Sequence, residues 1–147
     1  NSTMIIYRVQ NKSDVEARVK ITPLVTCRHF HSVLNRDITP LKFFLQPNGA
    51  REVQIKFDSP NATVNVLSTE GEFVKKPNWI ERIFYREEAS RGESSTSDSY
   101  QPGYFQITIP ANSGKVFAII AETDPYFQQN NQNASDFNYS TEDILRY

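Results

Sequence analysis

Hydrophobic and polar residues alternate with a period of two along three stretches of the chain, at 15–21, 51–57 and 105–109. Successive side chains of a β-strand point to opposite faces, so each stretch predicts a strand with one face in the core and the other in water. The side chains expected to face the core are Val15, Ala17, Val19, Ile21, Val53, Ile55, Phe57, Phe105, Ile107 and Ile109.

Shorter apolar segments at 3–10, 41–46 and 63–67 predict further strands. The run KVFAIIAE at 115–122 has no polar face, so we expect a central strand that is covered on both sides. Gly-, Pro- and Asn-containing clusters separate these segments and predict turns between them. Strands and turns at this spacing favour an all-β fold, an antiparallel β-sandwich.

The last part of the chain has a different composition. From Asp124 onward it is polar and rich in Asn and Gln, which is typical of a linker. Ser140 is followed three residues later by Asp143, an arrangement that predicts a helix start. We therefore expect 1–123 to form the sandwich, and 124–147 to be a linker and a short helical start within a fragment of a longer protein.

Charge and composition exclude several classes of protein. The 147 residues carry 16 basic and 17 acidic side chains, so no strong basic field favours a nucleic-acid partner. No apolar run reaches the roughly 18 residues that a membrane-spanning helix needs. Cys27 is the single cysteine, so a disulfide framework is excluded, and without a signal peptide the composition favours a cytoplasmic protein.

The segment WIERIFYREEASRGESSTSDSYQPGYF, at 79–105, contains the densest group of charged side chains. A glycosidase needs two carboxylates about 5–9 Å apart across the scissile bond, whereas the adjacent Glu87 and Glu88 would point to opposite faces of a strand. An Arg–carboxylate network that holds a long loop is the interpretation we favour. His29 and His31 lack a third ligand at a suitable spacing, so we expect neither a metal nor a cofactor.

Aromatic side chains are frequent in the same segment, and two explanations remain open for them. Their flat faces stack on sugar rings, but they also form cores and domain interfaces. The aromatic residues concerned are Trp79, Phe84, Tyr85, Tyr100, Tyr104 and Phe105.

The segment PLVTCRHFHS followed by WIERIFYREEASRGESSTSDSYQPGYF resembles the N-terminal domain of bacterial and archaeal glycogen-debranching enzymes. The resemblance covers roughly residues 3–123, and His29 departs from the Asp that is usual in that family. The matching positions are Pro23, Leu24, Arg28, His31, Trp79, Tyr85, Glu88, Arg91, Gly92, Asp98, Pro102 and Gly103.

This resemblance implies a supersandwich of the galactose-mutarotase type that is the second part of a larger N-terminal domain. It also implies that an (α/α)-barrel later in the same chain carries the amylo-α-1,6-glucosidase chemistry, so no catalytic residue is expected here. The implied partners are this barrel and, through the parent enzyme, an α-glucan. Residues expected to bind substrate or contact the barrel are Arg28, His31, Trp79, Tyr85, Glu88, Arg91, Asp98 and Tyr100.

We expect 79–105 to be an ordered loop that packs against the barrel near its substrate opening. In this hypothesis Arg91 holds the carboxylate of Glu88 or Asp98, Gly92 supplies an unusual backbone angle, and the pair Pro102–Gly103 makes a turn. Two alternatives remain, a free-standing carbohydrate-binding module with an exposed aromatic platform and an assembly domain that contacts another subunit.

Overall fold

The computed structural model describes residues 2–29, 32–38, 41–58 and 62–123. These residues fold into two antiparallel β-sheets. Their strand orders are β1-β8-β5-β4-β3 and β2-β7-β6, so the predicted all-β antiparallel sandwich is confirmed. The elements are β1 (Ser2–Gln10), β2 (Ala17–Ile21), β3 (Phe43–Asn48), β4 (Glu52–Phe57), β5 (Ala62–Ser68), β6 (Glu72–Phe84), α1 (Arg86–Ser90), β7 (Thr96–Ile109) and β8 (Gly114–Thr123).

The core lies between the two sheets and is formed largely by the alternating residues of β4 and β7. Burial of each large apolar side chain stabilises the fold by about 1.5–3 kcal/mol, so these two strands account for much of the stability. The predicted core positions that are buried are Val53, Ile55, Phe57, Phe105, Ile107 and Ile109.

Strand β2 is shorter than its alternating pattern predicted. Ala17, Val19 and Ile21 are half-buried, and Val19 and Ile21 pack against the core. Val15 lies before the strand and is 63% exposed, so its predicted place in the core is wrong. The side chain of Asn11 donates a hydrogen bond to the carbonyl of Val15 at 2.8 Å, which takes this residue out of the sheet ladder.

Strand β8 has the central position expected of a run without a polar face. It pairs with β1 on one side and with β5 on the other. Phe117 and Ile119 face the main core, whereas Ala118 and Ile120 are buried in a second cluster with Met4, Leu67 and Val116.

The segment 79–105 is a hairpin rather than a long loop. Strands β6 and β7 pair along most of their length, and only the short connection that contains α1 lies outside the ladder. The expectation of a 27-residue ordered loop is therefore wrong, because aromatic and β-branched residues continue the strands through most of the segment.

Pro102 and Gly103 lie inside β7 and make no turn, which corrects the role predicted for them. At Gly103 the backbone of β6 approaches so closely that a Cβ atom would lie 2.2 Å from the Val74 carbonyl oxygen. Pro102 lies opposite the register shift between Lys75 and Asn78. The pairing of the two strands is already interrupted there, so the missing N–H of proline removes no hydrogen bond between them.

The predicted linker and helical start at 124–147 lie outside the described residues. None of the helices that the structure describes has the length and apolar character needed to cross a membrane.

Candidate functional site

A polar groove of about 600 Å³ opens at the end of the β6–β7 hairpin, between α1 and the segment around Arg28. It brings together side chains that are far apart in sequence, including four of those predicted for the site. The residues that line it are Arg28, Ser32, Val33, Tyr85, Glu88, Arg91, Glu93 and Ser94.

One wall of the groove is built on the C-terminal end of α1. The amide of Glu93 donates to the carbonyl of Glu88 at 3.0 Å, and the amide of Gly92 donates to the carbonyl of Ala89 at 3.1 Å. These two bonds form a Schellman cap, which requires the left-handed backbone that Gly92 adopts at φ 73°. The cap fixes Glu88, Arg91 and Glu93 around one turn, and it confirms the unusual angle predicted for Gly92.

The opposite wall is a loop whose two ends are tied to β7. Val25 and Tyr100 exchange a pair of backbone hydrogen bonds, both at 2.9 Å. At the other end, the carbonyl of Leu34 accepts from the Asp98 amide at 2.8 Å, and the Leu34 amide donates to the Ser97 hydroxyl at 2.9 Å. The described residues between these anchors include Arg28, Ser32 and Val33, which line the groove.

Arg28 takes part in holding the shape of its own loop. Its guanidinium donates to the carbonyl of His29 at 3.3 Å and to the carbonyl of Ser32. Arg28 is an exposed residue.

Asp98 lies behind the groove rather than in its lining. Asp98 is 7% exposed, and its carboxylate accepts hydrogen bonds from the backbone amides of Arg36 at 2.9 Å and Arg82 at 2.8 Å. These two amide bonds lower the pKa of Asp98 below its ordinary value and outweigh the opposing effect of burial, while the charges of Arg36 and Arg82 add smaller contributions in the same direction as the amides. The predicted site residue Asp98 is thus a structural anchor.

The predicted pairing of Arg91 with a carboxylate is absent from the described part of the chain. No ion pair joins Arg91 to Glu88 or Asp98 there, and the two oxygens of Asp98 accept the backbone amides of Arg36 and Arg82. Arg91 is instead an exposed residue of the groove rim, and the Schellman cap rather than an ion pair fixes the connection.

Trp79 and Tyr100 lie apart from the groove lining, in an aromatic cluster between the sheets. Phe43 stacks on Tyr100 with ring centroids 4.2 Å apart, and Trp79 meets both rings edge-on at 5.3 and 5.5 Å. Tyr100 is 8% exposed, and its burial raises the pKa of the phenol. For these two aromatics the core explanation holds, while Tyr85 lines the groove.

The remaining predictions for the site have different outcomes. His31 lies outside the described residues. No group of three or more His, Cys, Asp or Glu side chains with the arrangement of a metal site occurs among the residues that the structure describes. Cys27 is half-buried, and burial raises the pKa of its thiol, which keeps the reactive thiolate scarce.

Sequence reasoning did not select Ser32, Val33, Glu93 and Ser94, which also line the groove. Their proximity in sequence to Arg28, His31 and Arg91 was the only available signal. Two serines, a valine and a glutamate carry no motif, and only the long-range contacts of Val25 and Leu34 with β7 bring Ser32 and Val33 to the groove.

The two packed sheets and the groove at one end define an antiparallel β-sandwich domain with a polar groove of mixed charge. The chain belongs to the family of glycogen debranching enzyme N-terminal domains, whose model matches residues 1–116. No curated protein and no solved structure matches the chain.

Proposed function

We propose that this chain is a non-catalytic sandwich module of a glycogen-debranching enzyme, which contributes to glucan binding and packs on an (α/α)-barrel that hydrolyses α-1,6 branch points. The observation that carries the proposal is the groove, in which Arg28 from one loop meets Tyr85, Glu88 and Arg91 from a distant one. Membership of the family supports the connection with a debranching enzyme.

The chemistry of the groove suits a neutral, hydroxyl-rich ligand. Arg28 and Arg91 offer N–H donors, Glu88 and Glu93 offer carboxylate acceptors, and the four formal charges cancel. Tyr85 adds an aromatic surface on which the C–H face of a sugar ring can pack. A glucan has both donor and acceptor hydroxyls and no charge, so it can use all of these groups.

The arrangement of carboxylates supports a binding role over bond cleavage. Glu88 and Glu93 both belong to the α1 wall, and the opposite wall of Arg28, Ser32 and Val33 carries none. Glycoside hydrolysis requires two carboxyl groups on either side of the scissile bond. In this proposal the catalytic pair therefore belongs to the barrel, in a cytoplasmic enzyme of which this domain is the second part of the N-terminal region.

An assembly role is the second candidate, because the edge strand β1 exposes Ile5 by 52% and Ile6 by 42%. A pairing of β1 edges from two subunits would continue the sheet through backbone hydrogen bonds, with Ile5 and Ile6 on its opposite faces. Mass measured as a function of protein concentration, with and without glycogen, separates this role from the first. The alternative of a free-standing carbohydrate-binding module with an aromatic platform has less support, since Trp79 and Tyr100 pack between the sheets.

The experiment that tests the main proposal is a titration of the chain with glycogen, followed by calorimetry, with dextran as the control polysaccharide. We expect glycogen binding that Glu88→Gln weakens and Glu87→Gln leaves unchanged. Glu87 is the matched control because it is the adjacent carboxylate on α1 and does not line the groove. Equal binding by both variants, or no binding by the unmodified chain, contradicts the proposal.

A further inference from the structure

The carboxylate of Asp98 connects three separate segments of the chain at one point. Asp98 belongs to β7, its Oδ2 atom accepts the amide of Arg36, and its Oδ1 atom accepts the amide of Arg82 in β6. Its own backbone N–H donates to the carbonyl of Leu34. The residue thereby joins the end of the Arg28 loop to the strand that leads into α1.

Both segments held by Asp98 lead directly to a wall of the groove. Leu34 closes the loop that carries Arg28, Ser32 and Val33, while β6 continues from Arg82 to Tyr85 at the start of α1. The distance between the two walls is therefore set where Asp98 holds them, although its side chain is not part of the lining.

The β6 side of this connection has a strained backbone. Arg82 has φ 56°, in the left-handed region that a residue with a Cβ rarely adopts, at the register shift between Ile80 and Ile83. The hydrogen bond from the Arg82 amide to the Asp98 carboxylate offsets part of this strain. If the Asp98 carboxylate is lost, the Arg82 amide loses its acceptor, and the backbone of β6 can relax from the left-handed conformation at Arg82.

We propose that Asp98 is a positioning residue of the groove, which fixes the Arg28 loop and the α1 connection relative to each other through two backbone amides. The inference rests on the proposed function as far as the ligand is concerned, but the positioning itself is a property of the chain. Ser97 assists at one side only, because its hydroxyl accepts the amide of Leu34 and makes no bond to β6.

The test compares Asp98→Asn with Asp58→Asn in the 147-residue chain, by amide hydrogen exchange and by glycogen titration. Asp58 is a matched control, since its carboxylate also accepts a backbone amide, that of Lys42 at 3.0 Å. Asp58 does not line the groove. Asparagine keeps one acceptor oxygen and replaces the other with an NH2 donor, so in Asp98→Asn we expect at least one of the amides of Arg36 and Arg82 to exchange about tenfold faster or more. The amides of the β4 core should keep their protection.

Glycogen affinity should fall in Asp98→Asn by about tenfold or more, since a displaced wall misaligns every group it carries. Asp58→Asn should change neither the exchange of Arg36 and Arg82 nor the affinity. Unchanged protection of these two amides in Asp98→Asn overturns the inference. An equal acceleration across the whole sandwich also overturns it, because the residue would then contribute only to global stability.

Ser97→Ala provides a milder variant in case Asp98→Asn does not fold. It should accelerate exchange at Leu34 and leave Arg82 protected, whereas equal acceleration at both would contradict two independent attachments. If the unmodified chain binds no glycogen, the proposed function fails, and the exchange measurement alone decides the role of Asp98.

Discussion

Phe43 and Tyr100 stack with their ring centroids 4.2 Å apart and their planes 14° from parallel, and so they join β3 of the larger sheet to β7 of the smaller one. We predict that Tyr100→Ala destabilises the domain by about 3–5 kcal/mol, because it leaves a cavity beside Phe43 and Trp79. Urea unfolding measures this loss. A loss below about 1 kcal/mol would show that the aromatic cluster contributes little to stability, although Tyr100 is only 8% exposed.

The pH dependence of stability should report the hydrogen bonds of Asp98. Because the folded pKa is lowered, the stabilisation is fully present above the ordinary value of 3.8 and is lost as the pH falls from there through the lower folded pKa. Two charge-assisted bonds suggest a difference of about 1.5–3 kcal/mol between the unmodified chain and Asp98→Asn at neutral pH.

Thermal unfolding of both proteins across this range checks the prediction. The difference in melting temperature should shrink as the pH falls below 3.8, where the carboxyl of the unmodified chain takes up a proton. A difference that stays constant down to about pH 2 would show that the ionised form of Asp98 is not what the fold requires.

Gly103 should tolerate substitution far less than Gly92. A Cβ at position 103 would lie 2.2 Å from the Val74 carbonyl oxygen and 2.9 Å from the Lys76 nitrogen, so Gly103→Ala must push two paired strands apart. At Gly92 no atom lies within 4 Å of an added Cβ, and only the left-handed angle of 73° is unfavourable.

We therefore expect Gly92→Ala to cost about 1–2 kcal/mol and Gly103→Ala clearly more, as measured by chemical unfolding. Circular dichroism should show that both variants remain β-proteins if they fold. Equal losses for the two substitutions would mean that backbone angle, rather than the close approach of β6, decides both positions.

Arg91→Ala is expected to weaken glycogen binding about tenfold while leaving the melting temperature nearly unchanged, because an exposed rim residue contributes little to stability. Arg86→Ala is the matched control, since Arg86 begins α1 but does not line the groove. Arg91→Lys should not restore affinity, because an ammonium group lacks the planar set of donors. Early melting of Arg91→Ala with intact binding would assign the residue to structure instead.

The strands were predictable where burial is one-sided and regular. Val53, Ile55 and Phe57 alternate with charged residues, and a slip of one position would expose all three. Strand β6 was harder to recognise, because its two register shifts break the alternation, and the exposed and half-buried residues of its 79–84 part follow no period. The same irregularity made the hairpin resemble a loop.

The site was predictable only in its local half. Tyr85, Glu88 and Arg91 lie within one short connection, so their nearness in space follows from their nearness in sequence. The role of Asp98 depends on Arg36 and Arg82 arriving from two other segments, which no local pattern shows. An arginine beside a carboxylate in sequence suggested an ion pair, but backbone amides reached the carboxylate of Asp98 instead.

The loop between Val25 and Leu34 closes on neighbouring positions of β7, with one end at Tyr100 and the other at Ser97 and Asp98. A connection whose ends are fixed independently of its interior can change length without altering the register of the sheets. Each doubling of loop length costs only about 0.6 kcal/mol in closure entropy. Insertions and deletions at 26–33 should therefore change the width and the charge of the groove with little loss of stability, while the two sheets stay the same.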